Sequence, residues 1–330
     1  MTKTVTLPKA SRTTVAVFTG DLTNATCPVS GGVAQNCGVG PGIGGVSTQI
    51  LVTGGPNIVV ERPFYVNNFS FGSGPIQDGH VAFGANAPNT IWYFAEGTTI
   101  SGFNTYLTLQ NPGGIDASTT ITYNTDSGAT VNKTLTLPAH SRTTLPVFQG
   151  NLSSGSCVVS GGVAQNCGVG PNIGGVSSRV TSPTPIVVER PMYLFFNFGS
   201  GVVAGAHVVV GANTLGALFG FSASNTTAGE DDFLTIQNTG GVAAIVNITY
   251  YANLKGFPVN EVITVAPNSR FTVPVFLPAL FGGGIGPGFP NLGIVVSSNQ
   301  PILVEKPTYN SNSATYGATD TRGFTPSPAF

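Results

Sequence analysis

The sequence predicts an all-β protein of tandem sandwich repeats, about 128 residues each and present in two and a half copies. Three observations point there: a long internal duplication, short Val/Thr/Ile/Tyr segments cut by Gly, Pro, Asn and Ser, and a chain poor in charge.

The duplication is the clearest of these. SGGVAQNCGVGPGIGGVS at 30–47 returns as SGGVAQNCGVGPNIGGVS at 160–177 with one substitution. Around it, TLPKASRTTVAVF (6–18) aligns with TLPAHSRTTLPVF (136–148) and more loosely with VAPNSRFTVPVF (265–276). IVVERPFY (58–65), IVVERPMY (186–193) and ILVEKPTY (302–309) form a third aligned set. This half-repeat occurs three times. The other half occurs twice, as WYFAEGTTISGFNTYLTLQNPGGIDASTTITY (92–123) and LFGFSASNTTAGEDDFLTIQNTGGVAAIVNITY (218–250). One division makes 1–91 an incomplete first repeat, 92–216 a complete one, and 217–330 a diverged third with an extended tail. The other makes 2–131 and 132–258 complete and leaves 259–330 as the half. Either way one module is short of strands.

Segments such as TVTLP, TTVAVF, YLTLQN, TTITYN, KTLTLP, VNITYYA and EVITVAP are short, β-branched and bounded by turn residues, so they read as strands. No window carries a helical period, and Gly or Pro interrupts every stretch. Many strands per repeat imply β-sandwiches, Ig-like in the broad sense.

Charged residues are 8% of the chain, against roughly 25% in an ordinary soluble protein, and the net charge is −1. Nucleic acid and anionic membrane surfaces are excluded as partners, because both need clustered Lys and Arg. No apolar run approaches the roughly 18 residues of a spanning helix, so membrane insertion is not expected. The N-terminal MTKTVTLPKASRTTVAVF reads as strand and not as a signal peptide, which suggests a mature form or a fragment.

Cys27 and Cys37, and again Cys157 and Cys167, share a C-x9-C spacing that the third copy lacks. No CxxC knuckle or adjacent His completes a zinc site, so a disulfide within each copy is expected, with buried free thiols as the alternative. Two bridges indicate an oxidising, extracellular compartment. The sequons at Asn24, Asn68, Asn132, Asn151, Asn225 and Asn247 fit a glycosylated surface protein, although chance accounts for most of them in a chain rich in Asn, Ser and Thr.

Catalytic chemistry needs convergent groups, and few are present. His80 and His207 occupy matched places and read as structural, while His140 is matched to Lys9 and Asn268. Glu61, Glu189 and Glu305 recur, each followed by Arg or Lys and then Pro; Arg12, Arg142 and Arg270 recur after Ser. A charge turned inward needs a partner, so these six are expected as structural ion pairs, the Ser-Arg arginine serving the Glu. A glycosidase-like carboxylate pair is the weaker reading, and no enzyme activity is expected. Glu230, Asp231 and Asp232 read as a solvated loop, with a calcium site as the rival reading and no cofactor otherwise. The run YLFFNF, with Tyr193, Phe195, Phe196 and Phe198, reads as subunit contact, together with Tyr316, Phe324 and Phe330 in the tail.

WYFAEGTT with GFNTYLTLQNP, TITY, TLPAHSRTT and IVVERPMY resembles a tandem repeat of uncharacterised bacterial secreted and cell-surface β proteins. The resemblance implies extracellular β domains and no known activity. The third copy departs from it, with Phe219, Gly220 and Ala223 in place of Trp92, Tyr93 and Glu96.

Low charge, apolar Gly-rich loops and an incomplete module together lead to a functional expectation. The chain is expected to be a self-assembling subunit of an extracellular filament, tube or sheath, in a homopolymer joined head to tail. The tail 310–330 is the expected strand donor. The alternative is a monomeric adhesin or carbohydrate-binding module with a groove of exposed aromatics.

Overall fold

The computed structural model of the chain describes residues 1–23, 26–72, 74–253, 256, 258–311 and 317–323. Among the described residues it is all-β, as the alternating segments predicted, with one 3-10 turn at Ala279–Phe281. The chain divides into two compact units, Met1–Ile50 and Leu51–Phe330.

Among its described residues the first unit holds five two-residue strands: β1 (Thr4–Val5), β2 (Thr14–Val15), β3 (Thr26–Cys27), β4 (Val29–Ser30) and β5 (Val33–Ala34). β1 pairs with β3 and β2 with β5, both parallel, and β4 pairs antiparallel with β5. Cys27 and Cys37 are bonded. Only a small core forms, around buried Cys27 and Ala34.

The second unit opens with the hairpin β6 (Glu61–Ser70) and β7 (Pro75–Phe83). A full module follows: β8 (Asn89–Phe94), β9 (Phe103–Asn111), β10 (Ala117–Thr125), β11 (Thr130–Leu137), β12 (Ser141–Pro146), β13 (Gly155–Ser156), β14 (Val158–Ser160), β15 (Val163–Gln165), β16 (Val176–Asn197) and β17 (Val202–Val210). The last module has β18 (Gly216–Ser224), β19 (Glu230–Asn238), β20 (Ala244–Ala252), β21 (Val259–Val265), β22 (Ser269–Pro274), β23 (Leu292–Asn310) and β24 (Gly317–Arg322).

In the middle module eight strands run in the order β13-β11-β10-β16-β9-β12-β15-β14, a near-closed, barrel-like sheet. In the last, β21-β20-β23-β19-β22 make a curled half-barrel. Each closes through one long strand. β16 pairs with β8 and β10 along its first part and with β9 and β17 along its second. The change of partner falls at Ser182-Pro183-Thr184-Pro185, where two prolines withhold the N–H groups that continued pairing would need. β23 repeats the arrangement with β18, β20, β19 and β24, and Pro301 marks its crossing.

Alternation of burial, seen cleanly in β11, sends every second side chain inward. The middle core gathers Leu107, Leu109, Ile121, Tyr123, Leu145 and Ile186, all fully buried. Trp92 joins it and donates its indole N–H to the Ile186 carbonyl at 2.9 Å, which satisfies its one polar atom. Asn111 pins a turn: its Nδ2 donates to the carbonyls of Ile115, Leu137 and Pro138, and its Oδ1 accepts from Gly113. Asn238 makes the same four bonds in the last module, which explains the Asn shared by LQNPGG and IQNTGG.

Candidate functional site: the junction between modules

The three aligned copies of the VVERP segment become three hairpins: β6–β7, the second part of β16 with β17, and the second part of β23 with β24. β7 packs on β17, β17 on β24, and β24 over a shorter stretch on β7. At their meeting point one carboxylate collects three matched amides. Asp78 Oδ1 accepts the N–H of Gly79 at 2.7 Å, and Oδ2 accepts those of Ala206 at 2.8 Å and Ala318 at 3.0 Å. Gly79, Ala206 and Ala318 hold the same place in the three hairpins, so the hairpins meet about a local, approximate threefold axis. Burial raises the Asp78 carboxyl above its ordinary value, and the three amides work against that rise.

Beside the axis lies a cluster of buried charges. Arg190 Nη1 donates to Glu305 Oε2 at 2.8 Å and to the Glu96 carbonyl at 2.8 Å, while Nη2 bonds Asp320. Glu305 Oε2 also accepts the amides of Ala95 at 2.9 Å and Glu96 at 2.7 Å. Tyr309 donates its hydroxyl to Glu96 Oε1 at 3.1 Å, and the Arg190 guanidinium lies 5.9 Å from the Phe94 ring centre. Burial alone would lower Arg190, but Glu305, Asp320 and Glu96 reverse that and hold it above the usual arginine range. Burial, then the charge of Glu305, pushes Asp320 well above the usual carboxylate range against the pull of Arg190. His207, fully buried, is held well below the usual histidine range by burial first, then by Arg190 and His80. These side chains are sealed from solvent, and their pairs run between β16 and the β23–β24 hairpin.

Of the expected ion-pair residues, Glu189 and Glu305 pair with partners other than those expected. Glu305 takes Arg190, and Glu189 takes Arg62 at 2.9 Å, so each Glu pairs with the Arg of the preceding copy's Glu-Arg pair. The Ser-Arg arginines were expected in that role, and the register explains the change. Glu189 and Thr144 both lie opposite Thr108, which places Arg142 two residues along the sheet from Glu189. Arg142 donates instead to Thr144 Oγ1 at 2.6 Å. Arg270 donates to the Ala95 carbonyl at 3.2 Å and stands 3.9 Å from Glu96. Arg12 and Glu61 are exposed.

The aromatic run also turns inward. Tyr193 stacks on Phe71 with ring centres 3.6 Å apart, Phe196 packs on Phe103, and Phe198 stacks on Tyr309 at 4.6 Å. These rings join modules within one chain, where subunit contact was expected; Phe195 is 38% exposed. Tyr316, Phe324 and Phe330 lie outside the described residues, as does Asn24. Part of the expected donor tail is already engaged, since β24 pairs with β23.

The acidic triplet is not a solvated loop. It opens β19, with Asp231 and Asp232 buried. Asp232 Oδ2 accepts from Ser224, the Asn225 amide and Lys306 Nζ; Asp231 takes Ser200, and Glu230 takes Asn310 Nδ2. Alternation along the strand sends Asp231 away from its neighbours. Among the described residues no three His, Cys, Asp or Glu side chains are grouped to hold a metal. A groove of about 510 Å³ above the Asp232–Lys306 pair has Tyr251 as the one aromatic among its described lining residues.

His80 and His207 face each other with ring centres 6.4 Å apart. His140 is exposed in a left-handed turn at φ 51°; its true counterparts are Ala10 (φ 50°) and Asn268 (φ 48°), correcting the match to Lys9. Of the sequons, Asn68, Asn132, Asn151 and Asn247 are exposed, and Asn225 is half-buried, accepting from Thr227. Both disulfides form as expected, Cys27–Cys37 and Cys157–Cys167, and they indicate an oxidising compartment, extracellular or periplasmic. Asp78 was not singled out from sequence, and Glu96, noted only as a motif residue lost in the third copy, was not expected as a charge partner, nor was Asp320, since none of the three recurs at its matched positions in the other copies.

No family model matches the chain, and no curated protein matches it. Among solved structures it is similar to one described as the crystal structure of Thermotoga maritima 1070. Identity is 21%, over 34% of this chain and 96% of that one, with a TM-score of 0.29.

Proposed function

We propose that the chain is a structural subunit of an extracellular filament, tube or sheath, joined to its neighbours by completion of its incomplete first module. On this reading each module is an Ig-like sandwich in the broad sense, and the chain belongs with the secreted repeat proteins that its WYFAEGTT and VVERP segments resemble.

One comparison carries the reading. Leu7, Val15 and Val17 are 41%, 42% and 39% exposed, whereas their counterparts Leu137, Leu145 and Val147 are 0%, 0% and 1% exposed. The residues are those of a core, and among the described strands of residues 1–50 none covers them. Exposed apolar surface beside short, unpaired strands calls for another β segment.

Electron microscopy of the native extracellular material, with the chain located by antibody, tests the proposal. Regular polymers containing the chain are expected. Native material in which the chain occurs only as discrete monomers overturns it and favours the adhesin alternative.

A further inference from the structure

We propose that the groove above the Asp232–Lys306 pair is a carboxylate site, which takes the glutamate of a further strand of the VVERP type. The inference goes beyond the assembly reading and does not rest on it.

The site has a twin in the middle module. There Glu305 Oε2 accepts the amides of Ala95 and Glu96 at 2.9 and 2.7 Å and the Arg190 guanidinium at 2.8 Å. A bulge releases those two amides from the sheet. β8 pairs with β16 at Phe94 and Ser178, and the Val176 amide next donates to the Gly97 carbonyl at 2.7 Å. Ala95 and Glu96 therefore stand opposite Ser177 alone, two residues against one.

β18 repeats the bulge. It pairs with β23 at Phe221 and Ile294 and again at Ser224 and Leu292, so Ser222 and Ala223 stand opposite Gly293 alone. Register places Ser222 where Ala95 is and Ala223 where Glu96 is, and the aligned VVERP copies place Lys306 where Arg190 is. Ala95, Glu96 and Arg190 are buried. Ser222 and Ala223 are exposed, and with Lys306 they line the groove of about 510 Å³.

Lys306 keeps a donor for a ligand. Of the three ammonium N–H groups, Asp232 Oδ2 takes one at 3.2 Å and Thr308 Oγ1 another at 2.8 Å. Nor does Asp232 bar a second acid. Arg190 binds Glu305 and Asp320 together, and Asp232 serves Lys306 as Asp320 serves Arg190. The two bulged amides supply the remaining bonds, each strengthened by the charge of the acceptor.

The repeat names the ligand. Each cation of the series holds the glutamate of the copy that follows, Arg62 holding Glu189 and Arg190 holding Glu305. Lys306 is the third cation of that series. Its ligand is a strand glutamate followed by a basic residue and Pro, a chemistry that the exposed Glu61 of a second copy shares with like strands of other proteins.

The test titrates the full chain with an end-blocked peptide of residues 58–65 and with the same peptide carrying Glu61→Gln, and reads calorimetry and amide hydrogen exchange. The native peptide should bind one to one and protect the amides of Ser222 and Ala223. The Gln form should bind about tenfold more weakly, having lost a charge-assisted acceptor. Lys306→Met should abolish binding and Lys306→Arg, which restores the residue of the middle module, should retain it; if Lys306→Met does not fold, the two peptides on the native chain decide. Absence of binding, equal binding of the two peptides, or protection away from residues 222–224 overturns the site. With the site upheld, sedimentation of the Glu61→Gln chain assigns the source: weakened self-association points to a second copy, and unchanged association to another protein. A chain that polymerises but binds neither peptide overturns the site and leaves the assembly reading intact.

Discussion

Arg190 and Glu305 form the same ion pair as Arg62 and Glu189, one sealed in protein and the other open to water. The difference in exposure dictates a difference in energy. Arg190→Met leaves Glu305 and Asp320 buried without their cation and should cost about 3–5 kcal/mol. Arg62→Met should cost under about 1 kcal/mol, because water already screens that pair. Urea denaturation of both variants checks the contrast; equal losses would refute it.

Asp78 is the shared acceptor of three hairpins. Asp78→Ala strands the amides of Ala206 and Ala318 at a packed junction and should cost about 1–3 kcal/mol. Gly205→Ala should also destabilise, since its added Cβ would stand 2.9 Å from the Ala318 Cβ and 3.0 Å from the Ala318 nitrogen. Thermal melting of each variant measures the loss.

Fold and site were legible in the sequence to different degrees. Strands and the two disulfides could be read because each depends on local pattern: alternation, turn residues and the C-x9-C spacing. The choice of charge partner could not. It depends on β9 lying between β12 and β16, and on one copy abutting the next, and neither is written in any single segment. Asp231 and Asp232 misled for a related reason. A run of acids looks solvated until Ser200, Ser224 and Lys306 arrive from distant strands. The YLFFNF run, read as subunit contact, packs on Phe71, Phe103 and Tyr309 of the same chain, because sequence does not distinguish a partner module from a partner molecule.

Removing the Cys157–Cys167 bridge by a double Ser substitution should cost about 3 kcal/mol, the chain-entropy value for so short a loop. Urea denaturation of the double variant beside the native protein reads the difference, and reductant, which opens Cys27–Cys37 as well, should lower the native protein by at least as much. Native protein that loses no stability on reduction would contradict this.

His207 predicts a pH dependence. Its folded-state value is depressed, so it contributes stability that is present above the ordinary histidine value near 6.5 and is lost as pH falls through the folded value. Asp320 works in the opposite sense: its value is raised, so its contribution is full below about 3.8 and fades as pH rises through the folded value. Between pH 7 and 5, His207→Phe should flatten the loss of melting temperature seen in the native chain. An unchanged slope would assign the titration elsewhere.

The place held by Asp78 is held by Gly205 and Gly317 in the other two hairpins, and all three crowd the same axis. One carboxylate fits there, and it serves three amides. A protein engineered by averaging its copies into one consensus would fail at this point, because three acids would repel each other and three glycines would leave the amides bare. Duplication produced the copies, but packing them together requires that they differ here, so the divergence at residue 78 is part of what makes one chain out of three.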